Sequence, residues 1–68
     1  MILIINTREK TEIIEGISNF TFFKPGVINF TLNDKLFQKE LENNDSIIVY
    51  NKNGQKIFTK TYITDFRY

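Results

Sequence analysis

The segment Ser46–Ile63, SIIVYNKNGQKIFTKTYI, narrows the fold more than any other stretch of this chain. Two β-prone runs flank Asn53-Gly54, and Asn-Gly between alternating apolar residues is the strongest short-range signal for a β-hairpin. Both residues tolerate the positive φ that a tight turn between twisted strands requires. A two-residue Asn53-Gly54 turn pairs Tyr50 with Ile57. A three-residue Lys52-Asn53-Gly54 loop with a bulge pairs Val49 with Ile57, and puts Ile47, Val49, Ile57 and Ile63 on one apolar face. The second register gives the more consistent core face and is the one expected.

The remaining chain reads mostly as strands. Ile2–Ile5 is a short, continuously apolar run, the pattern of a strand covered on both faces. Ile13–Phe23 reads as one strand whose apolar parity changes around Gly16, and a glycine inside a strand marks a bulge or bend. Lys24-Pro25-Gly26-Val27 has Pro and Gly at the positions a type II turn requires. Val27–Leu32 then alternates, with Ile28, Phe30 and Leu32 on one side. Asn33-Asp34 reads as a helix start, because either side chain accepts bonds from unpaired N–H groups. Lys35–Glu42 has the only helical spacing, with Leu36, Phe37, Glu40 and Leu41 sharing a face. Asn43-Asn44-Asp45 ends that helix.

The expected fold is therefore a single small domain over residues 1–68, α+β and β-rich. Its element order is β-β-β-α-β-β, five antiparallel strands with one short helix near 34–42. Such an order suits an antiparallel sheet or a partly open barrel, OB-like or SH3-like. Composition agrees on β structure: Ile and Phe dominate, and the chain has no Ala, the best helix former. With 68 residues and no Cys or His, the chain has neither disulfides nor the usual ligands of a structural metal. Stability then rests on a dense core, on oligomerisation, or on docking into something larger.

Function classes narrow by exclusion. Without His or Cys the usual acid–base and thiol chemistry is absent, and neither Ser18 nor Ser46 has a base to activate it. Glu9, Glu12 and Glu15 read as solvated charges beside a strand. Asn43, Asn44 and Asp45 lack the spacing of a calcium loop. The expectation is a protein that is not an enzyme, with no cofactor, no metal and no evident small-molecule substrate. No run approaches the length of a membrane span, and Met1–Ile5 lacks the basic leader and cleavage site of a signal peptide, so a soluble, cytoplasmic chain is expected. The bias toward Ile, Asn, Lys, Phe and Tyr fits AT-rich coding sequence, as in low-GC bacteria, phages and plasmids.

Two surfaces remain as candidates. A net charge of +1 implies no partner by itself, but Lys52, Lys56, Lys60 and Arg67 oppose only Asp65 in the last third of the chain. By period-2 geometry Lys56, Phe58, Lys60, Tyr62, Thr64, Phe66 and Tyr68 share one strand face, with Arg67 between the last two. Interleaved rings and cations suit single-stranded nucleic acid, the rings stacking on bases and the cations meeting phosphates. Asn19–Phe30, NFTFFKPGVINF, also resembles the aromatic second and third strands of cold-shock domains, OB-fold nucleic-acid binders of similar length. The likeness spans about a dozen residues and lacks that family's Gly-rich half-motif, its following His and its upstream Trp. The second surface comes from surplus: Ile13, Phe23, Val27, Ile48, Tyr50 and Phe66 fall opposite the expected core faces. A patch of them on a chain without staples marks a partner surface. The leading expectation is a non-enzymatic binding protein, an oligomer, subunit, adaptor or inhibitor of the kind a phage or mobile element encodes. It acts through a protein partner or self-association. The alternatives are a single-stranded nucleic-acid binder and a virion structural component.

Overall fold

A computed structural model describes residues 1–63, apart from the side chain of Phe23. Seven strands succeed one another: β1 (Ile2–Asn6), β2 (Thr11–Glu15), β3 (Ile17–Lys24), β4 (Val27–Leu32), β5 (Lys35–Glu40), β6 (Ser46–Tyr50) and β7 (Lys56–Thr61). They form two antiparallel sheets, one ordered β2-β1-β6-β7 and the other β3-β4-β5. Among the described residues there is no helix, so the fold is all-β with seven strands, not α+β with five strands and a helix.

The helix expected near 34–42 is a strand because Asn33 and Asp34 cap nothing. Both residues take positive φ, 52° and 64°, the left-handed pair of a two-residue hairpin turn. Leu32 therefore pairs with Lys35, and β5 runs back along β4 with Phe30 opposite Phe37. The two rings stack with centroids 5.6 Å apart. A strand places Phe37 beside Phe30 and leaves Leu36 72% exposed, whereas the helical reading needed both in the core. Leu41, beyond the strand, is buried, and its N–H donates to Gly26 O at 2.7 Å. Asn43-Asn44-Asp45 is accordingly a turn between strands. Asp45 is buried and ties it together, its carboxylate accepting the Glu42 N–H at 2.8 Å.

Gly16 divides what reads as one strand, and the halves join different sheets. Its φ of +84° turns the chain between β2 and β3. The Gly16 and Ile17 N–H groups both donate to Met1 O, at 3.0 and 3.1 Å, which pins the corner to the start of β1. One core lies between the sheets. Leu3, Ile5, Ile47 and Val49 enter it from the four-stranded sheet, and Ile17, Ile28 and Phe30 from the three-stranded one. Each such side chain, fully buried, gains about 1.5–3 kcal/mol.

The loop that closes β6 and β7 has the expected three residues. Asn51 N–H donates to Gln55 O, and the Asn51 Oδ1 accepts from the Asn53 and Gln55 N–H groups at 2.9 and 3.0 Å. Tyr50 pairs with Lys56, but Val49 then pairs with Phe58, so Ile57 is an extra, bulged residue. A one-residue slip exchanges the faces of everything beyond it. Ile57 and Ile63, expected in the core, are 50% and 54% exposed, and Phe58 turns inward instead.

The Pro25-Gly26 turn sets up a tight contact. Gly26 has φ +80°, and a Cβ built there lies 2.7 Å from the Tyr62 ring. At Gly16 a Cβ meets nothing nearer than Leu32 at 3.8 Å. Gly26→Ala is expected to destabilise by more than the roughly 1–2 kcal/mol of backbone strain expected for Gly16→Ala, because the Tyr62 ring must also shift. Chemical denaturation checks both. In a Tyr62→Ala background the Gly26→Ala cost should shrink toward the backbone strain alone.

Candidate functional site: the outer face of the four-stranded sheet

Cross-strand partners share a face, so the sheet register fixes which side chains stand together outside the core. Three rows cross the outer face of β2-β1-β6-β7. Glu15, Ile2, Tyr50 and Lys56 form the first; Ile13, Ile4, Ile48 and Thr59 the second; Thr11, Asn6, Ser46 and Thr61 the third. The middle row is apolar across three strands and Ile2 and Tyr50 widen it. Ile13 is 63% exposed, while Ile2, Ile4, Ile48 and Tyr50 are half-buried by their neighbours in the sheet. None of the five packs against the core cluster. The strands create this face by alternation: each residue that enters the core, such as Leu3 or Ile47, is flanked by one that points away from it.

The sequence signal for this surface was surplus, and it located part of it. Ile13, Ile48 and Tyr50 do come together. Val27, counted with them, is buried instead; Phe66 and the Phe23 side chain lie outside the described residues. Ile2 and Ile4 were missed because Ile2–Ile5 is apolar without interruption, which reads as a strand covered on both sides. In the structure only Leu3 and Ile5 are covered by core.

The candidate aromatic and basic set on the last strand is divided. Lys56 stands on the outer face beside Tyr50. The bulge at Ile57 sends Phe58 to the opposite face, where its ring packs 5.4 Å from Phe20 and 5.5 Å from Phe22. Lys60 holds its ammonium 5.5 Å from the Phe22 centroid, a cation–π contact. Tyr62 packs against Gly26 and the core, its N–H donating to Asp45 O at 2.9 Å. Phe66, Arg67 and Tyr68 lie outside the described residues. Lys60 and Tyr62 do share one feature, a groove of about 370 Å³ completed by Phe22, Lys24, Pro25 and Leu41.

A second concavity, of about 260 Å³, lies between the β1–β2 turn and the start of the β5–β6 connection, lined by Arg8, Glu9, Lys10, Lys39, Glu40 and Asp45 among others. Both charge signs mix within it, and among the described residues no three His, Cys, Asp or Glu gather as metal ligands. No helix among the described residues is long and apolar enough to cross a membrane. Comparison with protein-family models, with curated proteins and with solved structures returns no match.

Beside that concavity Glu12 joins the two sheets electrostatically. Lys39 on β5 donates to its Oε1 at 3.3 Å, and Lys10 stands at the same distance. The Lys39 hydrogen bond, and then that of Lys10, hold the Glu12 carboxyl below the usual Glu range. A carboxyl depressed on folding stabilises above its unfolded pKa, and that contribution disappears as pH falls through the folded value. The difference in thermal midpoint between the native chain and Glu12→Gln should therefore be largest near neutral pH. It should vanish under acid conditions, and stay small throughout because the pair is solvated.

Proposed function

We propose that this chain is a non-enzymatic binding protein that engages a protein partner through the outer face of β2-β1-β6-β7. The observation that carries the reading is the apolar row Ile13–Ile4–Ile48, widened by Ile2 and Tyr50 and bordered by Glu15 and Lys56. An apolar centre with a charged and hydroxylated border is the composition of a protein interface. A small domain gains from covering such a face, since the chain has no Cys from which a disulfide could support its core. Lysines and rings near the groove at Lys60 and Tyr62 offer a smaller surface to an anionic chain, but Phe58, the ring that would stack at the centre of a nucleic-acid face, packs between Phe20 and Phe22.

A photoreactive side chain at Thr59 tests the reading. Thr59 lies in the middle row and is exposed. Irradiation should yield a covalent protein adduct, in the purified chain or in lysate, at far higher yield than from Gln38 on the other sheet. Ile13→Lys should abolish the adduct without unfolding the chain, because an exposed edge-strand substitution changes stability by only about 0.5 kcal/mol. Equal, background yields at Thr59 and Gln38 would contradict the proposal.

A further inference from the structure

The outer face is complementary to itself. A two-fold axis in the plane of the face, parallel to the strands and midway between β1 and β6, lays β1 of one copy over β6 of the next and β2 over β7. The rows keep their order under this operation. At the centre Ile4 then meets Ile48, Ile2 meets Tyr50 and Asn6 meets Ser46, while at the margin Ile13 meets Thr59, an isoleucine on a residue with one methyl and one hydroxyl. At the margins Glu15 of each copy meets Lys56 of the other, placing two opposite-charge contacts symmetrically about the axis. The other in-plane axis, across the strands, matches less well: it lays Ile2 over Asn6 and Tyr50 over Ser46, and leaves Glu15 and Lys56 facing threonines.

From this match we infer that the partner of the outer face is a second copy of this chain, packed sheet on sheet about the axis parallel to the strands. The inference rests on the outer-face reading proposed above. An isologous contact of this kind needs one patch whose two halves complement each other. Aligned sheets pack about 10 Å apart, a distance that Ile and Tyr side chains fill from both sides. The face spans four strands of five or six residues, about 15–20 Å on a side, below the usual ~800 Å² per partner of stable interfaces. The dimer is accordingly a weak, dissociable one.

Sedimentation equilibrium on the whole chain, from about 5 to 500 µM, reads the dimer directly. Glu15→Lys alone and Lys56→Glu alone each turn both charge contacts repulsive, and each should weaken dimerisation about tenfold. The double variant Glu15→Lys with Lys56→Glu restores both contacts and should return the constant to within about threefold of the native value. Both side chains are exposed on edge strands, so circular dichroism of dilute samples should show an unchanged fold. A native chain that stays monomeric at 500 µM overturns the inference, and so does a dimer that the double variant fails to restore. An adduct from Thr59 to a different protein, with none to a second copy, keeps the outer-face reading and overturns this one. A Thr59 adduct only to the last five residues of its own chain overturns both.

Discussion

The packing of Phe58 between Phe20 and Phe22 is the contact on which the arrangement depends. It joins the outermost strand of one sheet to the outermost strand of the other, β7 to β3. Ring contacts of this geometry add about 0.5–1.5 kcal/mol each beyond the area they bury. To make them, β7 takes one extra residue at Ile57 and leaves that isoleucine half in water. A large aromatic ring closing the gap between sheets outweighs an aliphatic side chain that has no such gap to fill. Ahead of the bulge, the three-residue loop sets Lys56 beside Tyr50 on the outer face, at the opposite margin from Glu15.

The two faces of the four-stranded sheet thus have one origin. Leu3, Ile5, Ile47 and Val49 meet the three-stranded sheet and disappear from solvent. Their neighbours Ile2, Ile4, Ile48 and Tyr50 have no second layer among the described residues, although the three isoleucines are as apolar as the core itself. A single sheet with apolar residues on both sides, covered on one, is incomplete as a layered structure. In the proposed dimer a second copy would supply the missing layer without any new element. Three-stranded sheet, four-stranded sheet and symmetry mate would then form a stack that encloses each of these isoleucines.

Much of the chain's local structure was legible in its residues, and the errors have definite causes. Pro25-Gly26 and Lys52-Asn53-Gly54 announce themselves because their backbone demands are met by few residue types; Gly16 signals a bend for the same reason, but not that the chain changes sheets there. Asn33-Asp34 misleads because the same two residues serve as helix caps and as left-handed hairpin turns. The adjoining stretch KLFQKE, with Leu36 and Phe37 adjacent, has no period-2 alternation to announce a strand, and only pairing with β4 makes it one. The bulge at Ile57 has no local signal at all: it is set by where Phe20 and Phe22 stand, some 35 residues earlier in the chain. Of the candidate site, Ile13, Ile48 and Tyr50 were legible as surplus. Ile2 and Ile4 were not, since an uninterrupted apolar run carries no parity from which a face can be read.

The central claim is that Ile4, Ile13 and Ile48 stand on a face that no other described element covers, while Leu3, Ile5 and Ile47 form the core. Methyl NMR with a water-soluble paramagnetic agent measures this most directly. In dilute solution the agent should broaden the methyl signals of Ile4, Ile13 and Ile48 and spare those of Leu3, Ile5 and Ile47. As concentration rises through the dimer transition, Ile4 and Ile48 should become protected in step with association. Methyl signals of Ile4 and Ile48 as protected as that of Ile5 at every concentration would contradict the account.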